Sequence, residues 1–213
     1  MPAEPRHRAP KMREETVRRR EEILRAALTT FGTKGYNKGP LTEIADQVGM
    51  THTGVLHHFG SKDQLLLEVL DYRDRTDVAD LPDQHIPGGA ELFRHLVKTA
   101  TANADRPGIV QAYAVLSAES VTEGHPARAY FDQRYRVLRT ELHDAFVELC
   151  KERGITDTAA IDSAAAAILA VMDGLQVQWL LAPDEVQLAS VTEFAISAIV
   201  DAVLHPHRAE LSE

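Results

Sequence analysis

The chain of 213 residues has one cysteine, Cys150, so no disulfide can form within it, and a single tryptophan, Trp179. Aromatic residues make up only 6% of it, and no segment of useful length alternates apolar and polar residues as a half-buried strand does. There is no cysteine cluster, no glycine-rich phosphate loop and no nucleophile elbow. Three histidines, His52, His57 and His58, stand close together, but helix neighbours point about 100° apart. A five-residue separation also misses the i, i+4 spacing that lets two imidazoles share a metal. These absences argue against catalysis, a metal centre and a bound cofactor. The N-terminus carries no apolar signal core, and the most apolar stretch, residues 164–182, is interrupted by Asp173, Gln176 and Gln178. A cytoplasmic protein without a membrane segment is expected.

What is present is an uneven distribution of charge. The net charge is -9, but residues 1–62 hold eleven Lys/Arg against seven Asp/Glu, a balance of +4, while residues 63–213 hold twelve against twenty-five, a balance of -13. A phosphate backbone is attracted to the first part and repelled by the second, which orients binding by electrostatics alone.

The basic end contains the clearest pattern. Leu41, Ile44, Ala45 and Val48 recur at helical spacing, Gly49 breaks it, and Val55, Leu56 and Phe59 restart it, which predicts two short helices joined by a tight turn. Ala45 is small enough for a close crossing and Gly49 supplies the positive φ of the turn. Ahead of this pair, residues 1–13 read as a disordered basic tail. A first helix is predicted from Thr16 to Lys34, with Gly35 as its stop and Arg18, Arg19 and Arg20 on a solvated face. Gly39 caps the second helix and Pro40 opens it, Thr51 or Thr53 caps the third, and Ser61 with Gln64 forms a capping box for a fourth helix over 61–75.

Beyond the loop at Pro82–Gly89 every pattern is helical, with predicted helices around Leu92–Ala100, from Pro107, over Phe131–Leu149, and over residues 158–181 and 185–204. The fold class is therefore all-α with nine helices. Residues 14–62 form a helix-turn-helix domain, 76–205 a C-terminal domain, and 206–213 a tail.

Residues 23–70, ILRAALTTFGTKGYNKGPLTEIADQVGMTHTGVLHHFGSKDQLLLEVL, resemble the DNA-binding domain of a TetR-family transcriptional regulator. The order Phe-x-x-x-Gly-Tyr, Ile-Ala-x-x-x-Gly and His-His-Phe-x-Ser-Lys carries the likeness, and residues 172–183, MDGLQVQWLLAP, are similar to the penultimate helix of many such proteins. The resemblance implies a homodimer that binds palindromic operator DNA, usually as a repressor, and is released by a small molecule. A regulator without an effector, or an activator, fits the same motif. Two positions depart from the family pattern: Gly39-Pro40 replaces a capping hydroxyl, shifting its phosphate contact to Thr42, and Gly54 and Leu56 stand where Thr and Tyr are usual, which puts His57 forward as the replacement.

Candidate contacts follow from side-chain chemistry. Thr42, Thr51, His57 and Lys62 are expected at phosphates, and His52, Thr53 and Gly54, at the start of the recognition helix, at base edges. His95, Tyr113, Glu119, Tyr135, Asp173, Gln176 and Trp179 interrupt apolar stripes and are expected to line an effector cavity. Few basic groups occur there, so a neutral, aromatic or cationic effector is expected. Ile168, Met172, Leu175, Phe194, Ile199 and Val203 are expected at the dimer interface, because the last two helices are apolar over more than one face.

Overall fold

A computed structural model describes residues 9–78, 86–151 and 153–206, with side chains from Glu14 onward. Its helices are α1 (Ala9–Lys38), α2 (Leu41–Gln47), α3 (His52–Phe59), α4 (Lys62–Val78), α5 (Gly89–Ala104), α6 (Pro107–Ser120), α7 (Arg128–Lys151), α8 (Thr158–Leu181) and α9 (Leu188–Leu204), and no strand occurs among the described residues. Of the tails expected over residues 1–13 and 206–213, residues 1–8 and 207–213 lie outside the described residues, as do residues 79–85 of the linker.

Several boundaries differ from expectation; α4 runs on to Val78 rather than 75, and α9 opens at Leu188 rather than 185. α1 starts at Ala9 rather than Thr16, so residues 9–13 are helical and not part of a tail. It breaks where expected, at Gly35 (φ 73°, ψ 173°), but Tyr36–Lys38 resume a helical turn, closed by Gly39 N–H on the Gly35 carbonyl at 3.1 Å. Pro40 is extended and stands at the N-cap of α2, one position outside the helix that it was expected to open.

The α2–α3 turn follows the sequence closely. Gly49 N–H bonds to the Asp46 carbonyl and Met50 N–H to that of Ala45 at 2.9 Å, which satisfies the last carbonyls of α2 while Gly49 takes φ 64°. Thr51 caps α3 by accepting Gly54 N–H at 3.1 Å, and Ser61 caps α4 by accepting Gln64 N–H at 3.0 Å.

Of the three arginines expected on a solvated face of α1, Arg18 lies there, paired with Glu22 of the same helix, whereas Arg19 and Arg20 brace the helix pair. Arg20 donates to the His58 carbonyl, pairs with Glu68 and lies 4.3 Å over the Phe59 ring, and Arg19 reaches the Val48 carbonyl at 3.3 Å.

Three apolar clusters hold the chain. The first joins Phe31, Ile44, Val55, Phe59, Leu65 and Leu66 of α1–α4 to Ala112 and Leu116 of α6 and Phe131 of α7. Burying each such large side chain contributes roughly 1.5–3 kcal/mol. Where α1 crosses α6, a Cβ on Gly32 would come within 3.0 Å of the Ala112 Cβ, so the backbones touch. The second cluster packs α5, α7, α8 and α9 around Leu92, Phe146, Ile168 and Ile196, and the third gathers Ala100, Val110, Leu175, Trp179 and Leu188. α8 is long and apolar enough by length and composition to cross a membrane. In this fold its Ile161, Ala165 and Ile168 face the core while Ala166, Ala170, Gly174, Val177 and Leu181 remain exposed on another face.

Candidate DNA interface and effector cavity

The recognition helix exposes Thr51, His52, Thr53 and His57, and Thr42 is exposed on the first turn of α2. Gly54 is turned inward: a Cβ there would meet Met50 Cε at 3.1 Å and Thr51 Oγ1 at 3.4 Å, both in its own turn. His58 is half-buried; desolvation, then the Arg20 and His57 charges, hold its pKa below the ordinary histidine value. Lys62 opens α4 half-buried, donating to the Tyr36 carbonyl at 2.6 Å with its ammonium 4.6 Å over the Tyr36 ring. Burial lowers its pKa. The Lys62 bond to the Tyr36 carbonyl uses one of its three N–H donors.

A cavity of about 350 Å³ lies between α4, α5, α7 and α8, within the range of small-molecule sites. Five of the seven expected residues line it: His95, Tyr113, Tyr135, Asp173 and Gln176. Tyr135 donates to Asp173 Oδ2 at 2.5 Å. Burial raises the Asp173 pKa, opposed by the Tyr135 hydrogen bond and the charges of Arg134 and Arg73, and burial likewise lowers that of His95. A second, more open cavity of about 540 Å³ between α6, α7 and α8 shares Tyr113, Tyr135, Asp173 and Gln176 with the first.

Glu119 and Trp179 line neither cavity. Glu119, in the last turn of α6, accepts Tyr36 N–H at 2.7 Å, and Trp179 is packed in the third apolar cluster.

The sequence reading missed a charged network in the cavity wall. Arg73 is only 7% exposed and binds Asp74 at 3.1 Å and Asp77 at 2.9 Å, with its guanidinium 4.4 Å over the Tyr113 ring. Arg134 binds Asp74 at 2.7 Å, Tyr130 donates to the same carboxylate, and Arg106 approaches Asp77 at 3.3 Å. Burial alone would lower the Arg134 pKa; Asp74 and the neighbouring tyrosines carry it above its ordinary value. The expectation of few basic groups here is thus corrected: three guanidiniums, those of Arg73, Arg75 and Arg134, line the cavity, each already ion-paired. The available signal was the Arg73–Asp77 pair at i, i+4, which reads equally well as a solvated face.

The expected dimer set is also revised. Ile168, Leu175 and Val203 are buried within the protomer's own core, Met172 lines the inner cavity, and Ile199 packs partly buried on the second cluster. Phe194 is 75% exposed, and Val177 and Leu181 on α8 and Val191 on α9 are exposed as well. Apolar residues over more than one face do not tell which face the protomer's own core takes.

With this geometry in view, comparisons with known proteins are specific. Residues 23–69 match the model of bacterial regulatory proteins of the tetR family, and residues 89–205, more than half of the chain, match that of the BetI-type transcriptional repressor C-terminal region. The HTH-type transcriptional repressor AcnR of Corynebacterium jeikeium is 35% identical over 82 residues, 38% of this chain and 41% of that protein, so this match spans less than half of it. The HTH-type transcriptional repressor KstR2 of Rhodococcus jostii is 25% identical over 205 residues, 89% of this chain and 93% of that protein. Among solved structures, SmeT in complex with triclosan shares the fold at a TM-score of 0.65 and 16% identity, covering 87% of this chain and 91% of its own. Matched by one family model at its helix-turn-helix end and by another over most of the remainder, the chain belongs to the TetR family and is a DNA-binding transcriptional repressor.

Proposed function

We propose that the protein works in the cytoplasm as a homodimer that binds a palindromic operator and leaves it when a small molecule occupies the cavity between α4, α5, α7 and α8. The observation that carries this reading is the course of α4. One end starts at Lys62 beside the recognition helix, and the other contributes Arg73, Asp74 and Asp77 to the cavity wall. A ligand that binds one position of α4 better than another shifts the DNA-binding end by that difference in affinity.

His52 and Thr53 read base edges, and Thr42, Thr51, His57 and Lys62 hold phosphates, while Gly54, turned toward Met50, is left out of the base-reading set. Two protomers related by a twofold axis present their α3 helices to successive major grooves about 34–36 Å apart. The exposed face of Val177 and Leu181 on α8 with Val191 and Phe194 on α9 forms the dimer interface.

The effector is neutral, aromatic or cationic, because Arg73, Arg75 and Arg134 are already ion-paired with Asp74, Asp77 and Asp71, while Asp173 accepts the Tyr135 hydroxyl and forms no ion pair among the described residues. The triclosan bound by a protein of the same fold supports a small aromatic molecule. Footprinting on the intergenic DNA beside the gene, followed by displacement of labelled operator with a panel of such compounds, tests the reading. A footprint without twofold symmetry, or operator binding that no compound in the cavity releases, overturns it.

A further inference from the structure

We infer that Glu119 is a positioning residue for DNA binding: from α6 it holds the backbone of Tyr36, and through Tyr36 it fixes the Lys62 ammonium at the start of α4. The inference rests on the reading of Lys62 as a phosphate contact.

The geometry begins at Gly35. Its φ of 73° and ψ of 173° turn the chain so closely past α6 that an added Cβ would collide with Glu119 Oε1. The next amide, Tyr36 N–H, donates to Glu119 Oε2 at 2.7 Å, a charge-assisted bond between the regulatory part of the chain and the DNA-binding part. His125 backs the same carboxylate. Its side chain is 3% exposed, and Nδ1 accepts the Ala127 N–H at 3.2 Å, so the neutral ring carries its proton on Nε2. That nitrogen faces Glu119 Oε2 at 3.9 Å without a hydrogen bond of its own, and the ring stands edge-on to Tyr36 at 5.3 Å.

Every polar group of Tyr36 is thereby committed. The amide goes to Glu119, the carbonyl accepts Lys62 Nζ at 2.6 Å, the hydroxyl donates to Asp63, and the ring lies under the ammonium. A lysine side chain is flexible and contacts phosphate as a point charge. Here its freedom is removed before DNA arrives, and the residue that removes it is held by α6. α6 also carries Tyr113, which lines both cavities. A displacement of α6 therefore reaches Lys62 through two hydrogen bonds.

The test measures operator affinity against salt for full-length Glu119→Ala, Lys62→Ala and the double variant. Glu119→Ala is expected to weaken binding about tenfold, the scale of one charge-assisted contact, and to reduce the salt slope by about one, as Lys62→Ala does. The double variant is then no weaker than Lys62→Ala alone. A merely structural role of Glu119 would lower the amount of active protein and leave the slope unchanged. Additive losses, or a normal slope in Glu119→Ala, overturn the inference while leaving Lys62 at phosphate. A normal slope in Lys62→Ala overturns both. Should Glu119→Ala fail to fold, Glu119→Gln, which keeps an acceptor for the Tyr36 amide without the charge, is expected to show about a threefold loss with the same dependence on Lys62, and an additive loss there is equally decisive.

Discussion

Replacing Arg73 by Met should destabilise the protein far more than its place in the charged stretch Asp71–Asp77 suggests. Arg73 is 7% exposed and neutralises Asp74 and Asp77 together. Removing one partner of a buried ion pair typically costs about 3–5 kcal/mol, because the stranded charge stays out of water. Here Asp74 keeps Arg134 and Tyr130, and Asp77 keeps Arg106 at 3.3 Å, which places the cost at the lower end, about 3 kcal/mol. For a chain of this size each kcal/mol moves the melting temperature by about 2–4 °C, so thermal unfolding followed by circular dichroism should show a fall of about 6–12 °C. Protein concentration must be fixed, since assembly shifts apparent stability by mass action. Two controls separate the causes. Arg75→Met, whose pair with Asp71 is 65% exposed on both sides, should cost under about 1 kcal/mol. Adding Asp77→Asn to Arg73→Met should recover part of the loss, because it removes the stranded charge. A fall for Arg73→Met no larger than that for Arg75→Met, or no recovery in the double variant, would refute the reasoning.

Phe194→Glu places a charge at the centre of the exposed apolar face of α8 and α9 and should give a monomer by sedimentation at micromolar concentration with unchanged helicity; an unchanged dimer would rule that face out. Thr53→Ala should alter base preference at one operator position, by about 1–3 kcal/mol between bases, while the salt slope stays as in the parent; uniform weakening across sequences would remove Thr53 from the base-reading set. For His58 the folded-state pKa lies below that of the unfolded chain, so its contribution to stability is complete above the unfolded value and is lost as pH falls through the folded one. His58→Gln should therefore flatten the acid limb of the stability profile below about pH 6.5, and an unaltered limb would contradict the burial of this ring beside Arg20.

The sequence was most legible where structure is local. Ala45, Gly49 and Val55 define the turn between α2 and α3 through contacts a few residues apart, and the caps at Thr51 and Ser61 are decided within one helical turn. Legibility falls where a second helix decides the outcome. α8 is apolar on several faces, so nothing in its spacing says that Ile168 enters the protomer core while Val177 stays exposed. Glu119 and Trp179 interrupt apolar stripes just as Tyr135 and Asp173 do, but the helix opposite each one differs: α1 for Glu119, the third cluster for Trp179, and the cavity for the other two. Arg73 and Arg75 are two residues apart and identical in type, yet one is buried over the Tyr113 ring and the other pairs with Asp71 at the surface.

The first apolar cluster carries a consequence for how the chain comes apart. Phe31, Ile44 and Leu66 share it with Ala112, Leu116 and Phe131, and the α1 and α6 backbones touch at Gly32 and Ala112. The boundary between a DNA-binding head and a regulatory body is thus drawn through a continuous interior. A fragment cut in the α4–α5 linker would expose that interior on both pieces, so the helix-turn-helix region should resist production as a separate domain. Heating or denaturant should melt the head together with α6 in one transition, and a protease that nicks the linker should leave the two pieces associated.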